Sequence, residues 1–196
     1  MMSEIERLNS NFAGEYPLSG PVLIFTTLSV KSEKVKKKGI LSFLSREKEV
    51  LKIEESGCIQ KVGTTLTRVI ELLSLIINWN LDEIIDSSLN EEEQIEHFEK
   101  LSYQLPSWFL NANNEKPDSE KWDLVSWLYQ MSPSVRGWEW YSCKETSDGW
   151  IIRLHALGFP YSMEPLLYLT NLAGGKKVKY IDHDGTIFYS HYEDVN

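Results

Sequence analysis

Apolar and polar positions alternate along two neighbouring segments in the C-terminal half of the chain. Residues 150–157 (WIIRLHAL) and residues 138–143 (WEWYSC) each place large apolar side chains on one side of an extended backbone. This period of two is typical of a β-strand with one buried face. Residues 145–149 (ETSDG) between them have the composition of a turn, with Asp-Gly at its end. The pattern therefore predicts a β-hairpin.

A helix is predicted directly after this hairpin, and both of its ends can be placed. Ser162 is suited to cap its N-terminus, and Pro165 falls in the first turn, where its missing N–H costs no hydrogen bond. The glycine pair at 174–175 supplies a left-handed stop. Residues 177–189 then predict a second hairpin, which turns at the Asp-Gly pair 184–185.

Helical spacing dominates the middle of the chain. Residues 65–79 are apolar on nearly every side, which predicts a helix at the centre of the core. Asn90 and Glu93 form an N-terminal capping signature, and the helix that they open is predicted to stop at Pro106. Residues 119–131 predict a further helix with one apolar face.

The N-terminal region is more mixed. Ser3 and Glu6 have the spacing of a capping box and predict a short helix. Residues 21–30 (PVLIFTTLSV) are β-branched and aromatic, as in a strand. Residues 31–38 carry five lysines and are typical of a solvated loop, with anion binding as the alternative. Residues 39–55 fit either a helix or a strand, and strand character at their end favours pairing with the first strand.

These elements together predict an α+β fold. It would have a helical middle, a small N-terminal β element and a C-terminal antiparallel β-sheet packed by a helix. A chain of 196 residues is of a suitable length for a single domain. Residues 111–119 (NANNEKPDS) have the composition of a linker, so a boundary between sub-domains would fall in this loop if the chain has one.

Composition narrows the classes of partner and compartment. The formal net charge of -9 argues against nucleic acid as a partner, because binding phosphates needs clustered lysine and arginine. The N-terminus shows no apolar signal region, and the longest apolar run, residues 69–79, is too short to span a bilayer. Two cysteines are too few for a disulfide framework. We therefore expect a cytoplasmic protein with no membrane partner.

Carboxylates are concentrated in one segment of the chain. Between residues 81 and 99 there are eight of them and no lysine or arginine. The eight are Asp82, Glu83, Asp86, Glu91, Glu92, Glu93, Glu96 and Glu99. On the predicted helix after Asn90, a helical wheel places Glu92, Glu96, Glu99 and Tyr103 in one row, which we call the acidic stripe.

The acidic stripe has a structural and a functional interpretation. Acidic residues in a first turn complement the positive end of a helix, which is all that an ordinary solvated surface requires. The like-charge pair of Glu92 and Glu96 is unfavourable, however, and no structural need explains a tyrosine at the end of the row. A docking face for a basic protein explains both, with the tyrosine as an aromatic anchor. The predicted partner-binding residues are Asp82, Glu83, Asp86, Glu92, Glu96, Glu99 and Tyr103.

Other groups could carry chemistry, and none matches a known template. Asp182, His183, Asp184 and His191 are good metal-ligand types, but their spacing fits no metal site, so we predict neither a metal nor a cofactor. Six of the seven tryptophans lie between residues 108 and 150; a core role is favoured over a stacking pocket. No phosphate-binding loop, nucleophile elbow or zinc-protease motif is present. No catalytic residue is predicted, and an enzyme site near Trp127, His155 and His183 stays an alternative.

An acidic, tryptophan-rich chain of this size without catalytic motifs resembles the immunity proteins of bacterial toxin systems, including contact-dependent inhibition. Beside the acidic stripe, the resemblance rests on four short patterns: Trp138-x-Trp140, Gly149-Trp150-x-Ile152, Gly158-x-Pro160 and Ala173-Gly174-Gly175. It implies non-catalytic inhibition, in which the protein plugs the basic active site of a cognate toxin. Because such proteins differ in fold, the resemblance implies a role and no particular structure. An adaptor without a toxin partner is a further alternative.

Overall fold

The computed structural model describes residues 3–9, 21–26, 55–85, 88–146, 149–158 and 160–192. Over these residues the fold is α+β, as the sequence predicts. The helices are α1 (Glu4–Asn9), α2 (Glu55–Asn78), α3 (Leu81–Ile85), α4 (Glu91–Ser102), α5 (Ser107–Asn114), α6 (Leu124–Met131), α7 (Pro133–Arg136) and α8 (Glu164–Leu172). The strands are β1 (Val22–Thr26), β2 (Trp138–Glu145), β3 (Gly149–Ala156), β4 (Lys176–Ile181) and β5 (Ile187–Tyr189). The predictions for residues 31–38 and 39–54 lie outside the described residues.

All five strands belong to one antiparallel sheet, in the order β2-β3-β1-β4-β5. Both predicted hairpins are present, as β2–β3 and β4–β5. The N-terminal strand does not stand apart, because β1 is the central strand: Ile24 pairs with Ile151 on one side and with Lys179 on the other. Both hydrogen-bonding edges of Val22–Thr26 are therefore occupied by the two C-terminal hairpins.

Helix ends agree with the sequence where a local cap decides them. The capping box of Ser3 and Glu6 forms, with the Glu6 N–H donating to the Ser3 hydroxyl over 3.3 Å. Pro165 lies in the first turn of α8, and Gly174 stops the helix with a φ of +103°. Ser162 is not the cap of α8, however, because Met163 takes that position without a side-chain bond. The Ser162 backbone is committed elsewhere, since its carbonyl accepts a bond from the Trp138 indole at 2.7 Å.

Four other helix boundaries differ from the predictions. Helix α4 ends at Ser102, with Tyr103 as its C-cap, and so stops before the predicted Pro106. Helix α2 begins at Glu55, before the predicted 65–79 range, and runs through glycines that cost about 1 kcal/mol each in a helix interior. Helix α6 begins at Leu124 and not at residue 119, because the Asp123 carboxylate caps it by accepting from the Ser126 N–H at 2.8 Å. Residues 111–114 belong to α5, so the predicted loop 111–119 is shorter than expected.

One cluster of buried apolar side chains joins the sheet to the helices. Helix α8 packs on β4 and also contacts α2, α5 and α6, so it lies between the sheet and the helical part. Trp127, Trp138 and Trp140 are completely buried, which agrees with the core role predicted for most tryptophans, while Trp150 is only partly buried. The Trp127 ring lies 4.6 Å from that of Phe109, and its indole N–H donates to the Pro165 carbonyl.

Charged side chains contact the outer edge of β2, the first strand of the sheet in the described part of the chain. Glu4 of α1 accepts from the Trp140 N–H and pairs with the guanidinium of Arg136 in α7. Arg136 also donates to the Trp138 carbonyl at 2.7 Å, and Arg7 donates to the Trp140 carbonyl at 2.8 Å. Backbone groups at a sheet edge otherwise form a template for a further strand. In this protein the buried pair of Glu4 and Arg136 occupies that edge.

The end of the described chain is anchored to the helices through Tyr192. Its hydroxyl accepts from the Trp122 indole at 2.7 Å, and its carbonyl accepts from the Lys116 ammonium at 3.0 Å. The ring packs edge-on against Tyr168, with 4.9 Å between centroids. Burial raises the pKa of Tyr192 to about 12. The hydrogen bond from Trp122 opposes this shift, and the nearby Glu164 carboxylate adds to it.

This shift predicts a loss of stability in alkali. An unfolded tyrosine ionises near pH 10, whereas folded Tyr192 stays neutral to about pH 12. The stabilisation from neutral Tyr192 is therefore complete below pH 10 and is lost between pH 10 and 12. Chemical denaturation across this range should show a steeper decline for the wild type than for Tyr192→Phe. Both proteins retain Lys116, so that residue cannot cause a difference between them. Equal slopes of stability against pH for the two proteins would contradict the assignment of the stability loss to Tyr192.

Candidate functional site

Helix α4 presents the acidic stripe because its opposite face is held in the core. Asn90 caps its N-terminus by accepting from the Glu93 N–H at 3.0 Å, and the Glu93 carboxylate accepts in turn from the Asn90 N–H. The predicted capping signature is confirmed. Phe98 and Ser102 are buried, with the Phe98 ring edge-on to Tyr129 of α6 at 6.3 Å. This packing fixes which side of the helix faces solvent.

The four members of the acidic stripe lie on the solvent side of α4. Glu92, Glu96 and Glu99 are all exposed. Tyr103 directly follows the helix as its C-cap, and 83% of its surface is exposed, the largest value among the exposed large apolar and aromatic side chains of the described residues. Ile95, 43% exposed, adds an apolar residue on the same helix. The structure thus places three carboxylates and an aromatic ring on one accessible helix face.

The sequence suggested an acidic stripe without nearby positive charge, but the structure places one lysine next to it. Lys100 lies one residue beyond the segment without cations, and its ammonium contacts the Glu96 carboxylate at 2.8 Å. This pair lowers the pKa of Glu96. Exposed pairs of this kind contribute little to stability, but they neutralise charge locally. Among the described residues no ion pair involves Glu92 or Glu99, so these two carry the net negative charge of the stripe.

The predicted site residues before α4 have separate positions. Asp82 of α3 accepts from both the backbone N–H and the hydroxyl of Ser134, at 3.1 and 2.7 Å, and so caps α7. This carboxylate has a structural role that the sequence did not indicate. Glu83 is exposed on α3, which packs against α4. Asp86 lies outside the described residues.

Comparison with models of known protein families, with curated proteins and with solved structures gives no match. Within the described residues, no helix is both long enough and apolar enough to cross a membrane.

The histidines and aspartates near the C-terminus fall into three separate arrangements. Asp182 accepts a bond from the Tyr161 hydroxyl and lies 2.8 Å from the His183 ring. Asp184 instead accepts from the backbone of its own turn, and His191 lies 3.7 Å from Glu164. Among the described residues, no three His, Cys, Asp or Glu side chains are grouped so that they could hold a metal ion.

The residues of the alternative enzyme site also have different partners. Trp127 is buried and bonded to Pro165, whereas His155 lies 3.1 Å from the Glu139 carboxylate on the neighbouring strand. His183 belongs to the Asp182 arrangement. None of the described contacts joins these three residues into one site. The buried thiol of Cys143 has a pKa raised by burial, which is unfavourable for a nucleophile.

Sequence reasoning missed a cleft at the start of α8. It has a volume of about 300 Å³ and is lined by Val135, Pro160, Tyr161, Ser162, Met163, Glu164 and Tyr180. Three separate segments contribute these side chains: α7, the stretch before α8 together with its first residue, and β4. The only signal in the sequence was an aromatic and an acidic residue close to a predicted helix start, which is too common a pattern to indicate a cleft.

Proposed function

We propose that this protein is a non-catalytic inhibitor of the immunity-protein class that binds a basic toxin domain through the acidic stripe. One observation carries the proposal, namely the nearly full exposure of Tyr103 at the end of a row of carboxylates. Large aromatic side chains are enriched among the residues that dominate binding energy at protein interfaces. An exposed tyrosine next to Glu99 is therefore suited to anchor a partner that the carboxylates attract.

The distribution of charge supports a basic protein as the partner. Glu83 is exposed on α3, and Glu92 and Glu99 are exposed on α4, which contacts α3, so three negative charges lie on two neighbouring helices. Complementary charge speeds association and selects among partners more than it adds affinity. The net charge of -9 disfavours nucleic acid as an alternative. The proposal places the encounter in the cytoplasm, as the resemblance to immunity proteins implies.

The proposal is tested with the product of a toxin gene adjacent to the gene for this chain. We expect Glu92→Lys with Glu99→Lys to weaken the inhibition of that toxin and its binding, because both exposed negative charges are reversed. Glu96 is left in place, since reversing it would also break its pair with Lys100. Tyr103→Ala should raise the dissociation rate by a factor equivalent to about 1 kcal/mol or more. Binding kinetics on purified proteins and survival of toxin-expressing cells are the measurements.

A matched control separates the stripe from general charge effects. Glu115 and Asp118 are exposed carboxylates that follow α5, so Glu115→Lys with Asp118→Lys changes the net charge equally at another place. The control variant should inhibit as the wild type does. Surface changes of this kind normally alter stability by less than about 0.5 kcal/mol, which thermal denaturation checks for each variant. Equal inhibition by the stripe variant and the control variant would contradict the proposal.

A further inference from the structure

The cleft at the start of α8 is large enough to hold a small chemical group. Its volume of about 300 Å³ lies at the lower end of the range for ligand pockets. The lining includes two aromatic residues, Tyr161 and Tyr180, two apolar residues, Val135 and Met163, and the acidic residue Glu164. Aromatic and apolar walls with a few polar groups are the usual composition of a site that orients its ligand.

The charge of the cleft is negative. Glu164 is the one charged residue among those that line it, and no lysine or arginine does so in the described part of the chain. The Glu164 carboxylate also lies 3.7 Å from the His191 ring and acts on the Tyr192 hydroxyl, so an incoming cation would add to these contacts. The Asp182 carboxylate accepts a hydrogen bond from the Tyr161 hydroxyl. The Glu164 carboxylate also acts on the Tyr180 hydroxyl, whose pKa is raised first by burial and then by this charge. A cation would therefore be favoured in the cleft over an anion.

The aromatic walls are held in fixed positions. The Tyr180 ring stacks on Phe188 of β5, with 4.7 Å between centroids and 11° between ring planes. Tyr161 is held at its hydroxyl end by Asp182. Fixed aromatic faces next to a carboxylate match the planar guanidinium of arginine, which stacks on rings and pairs with carboxylates. The compact, strongly hydrated ammonium of lysine gains less from such walls.

A hydrogen bond connects α3 to α7, which contributes one residue to the cleft. Ser134 is bonded to Asp82 of α3, and the next residue, Val135, lines the cleft. Glu83, next to Asp82, is exposed. The exposed carboxylate of α3 and the cleft are therefore connected through α7.

We infer that this cleft binds the guanidinium of an arginine side chain from a protein partner. Glu164 is the ion-pair partner, and Tyr161 and Tyr180 form the walls on which the guanidinium stacks. The inference deepens the proposed function and rests on it for the basic character of the partner. The recognition itself depends only on the cleft, so a short peptide can test it without that partner.

The probe is a blocked Gly-Arg-Gly peptide, added to the ¹⁵N-labelled full chain near neutral pH and followed by amide chemical shifts. We expect saturable shifts centred on Ser162, Met163 and Glu164. The same peptide with citrulline, which keeps the shape and removes the charge, should bind at least about tenfold more weakly, equivalent to about 1.4 kcal/mol. The lysine peptide should also bind more weakly than the arginine peptide.

Two variants test the assignment of the residues. Glu164→Gln should weaken the arginine peptide about tenfold, equivalent to about 1.4 kcal/mol, whereas Glu145→Gln, an exposed carboxylate at the end of β2, should not change it. Tyr180→Leu should weaken binding while Glu164 stays in place. The spectrum of each variant reports its folding directly.

Absence of shifts at these amides, equal binding of the citrulline peptide, or unchanged binding by Glu164→Gln would overturn the inference. If the lysine peptide bound as tightly as the arginine peptide, the choice of arginine as the bound side chain would be wrong. The stripe variant with Glu92→Lys and Glu99→Lys should bind the peptide as the wild type does. A result that contradicts arginine binding in the cleft can thus be distinguished from a result that contradicts the proposed function of the acidic stripe.

Discussion

Replacing Arg136 by methionine should lower the free energy of unfolding by about 3–5 kcal/mol, among the largest effects expected from a single change in this chain. The Arg136 side chain is completely buried and pairs with Glu4, which is itself largely buried. Burial lowers the pKa of Arg136 and raises the pKa of Glu4, and the attraction between the two opposes both shifts. Without the guanidinium, an unpaired carboxylate would remain at the edge of β2.

A second substitution separates the ion pair from the rest of the network. Glu4→Gln keeps an oxygen that can accept from the Trp140 N–H but removes the buried charge. The double variant, Glu4→Gln with Arg136→Met, should lose less free energy of unfolding than the sum of the losses in the two single variants, because no unpaired charge remains. Urea denaturation of the four proteins measures this coupling. A loss below about 1 kcal/mol for Arg136→Met would show that the pair is open to solvent.

Trp127→Ala should lower the free energy of unfolding by about 3–5 kcal/mol, through lost burial and the cavity that is left. Trp127 is completely buried, packs against Phe109 and donates to the Pro165 carbonyl, which would lose its partner. Tyr103→Ala is the matched control, because it removes an aromatic ring that is mostly in water. The control should change stability by less than about 0.5 kcal/mol. A similar loss for both variants would contradict the exposure of Tyr103 on which the docking face depends.

Short-range patterns in the sequence predicted the local structure well. The capping box of Asn90 and Glu93, the stop at Gly174 and the β2–β3 hairpin all depend on residues within about one turn or one hairpin of each other. Such contacts follow from backbone geometry and the nearest side chains, so spacing alone is sufficient to predict them. The exposed row on α4 follows in the same way from helical periodicity.

Contacts between distant residues could not be predicted in this way. Strand β1 lies between β3 and β4, yet nothing in its composition specifies a partner more than a hundred residues away. The pair of Glu4 and Arg136 spans 132 residues, and each residue alone is typical of an ordinary helix surface. The cleft also depends on which segments meet. In contrast, the Glu96–Lys100 pair was predictable, because it obeys the i, i+4 rule that we applied to Glu92 and Glu96.

The association rate of the toxin domain as a function of salt tests the docking face most directly. Exposed charges are screened beyond about 8 Å at physiological ionic strength, so steering by the acidic stripe should weaken as salt increases. We predict a rate for the wild type and for Glu115→Lys with Asp118→Lys that falls steeply with salt. The variant Glu92→Lys with Glu99→Lys should associate more slowly and with a flatter dependence. The same rate and the same salt dependence for this variant as for the wild type would contradict the account.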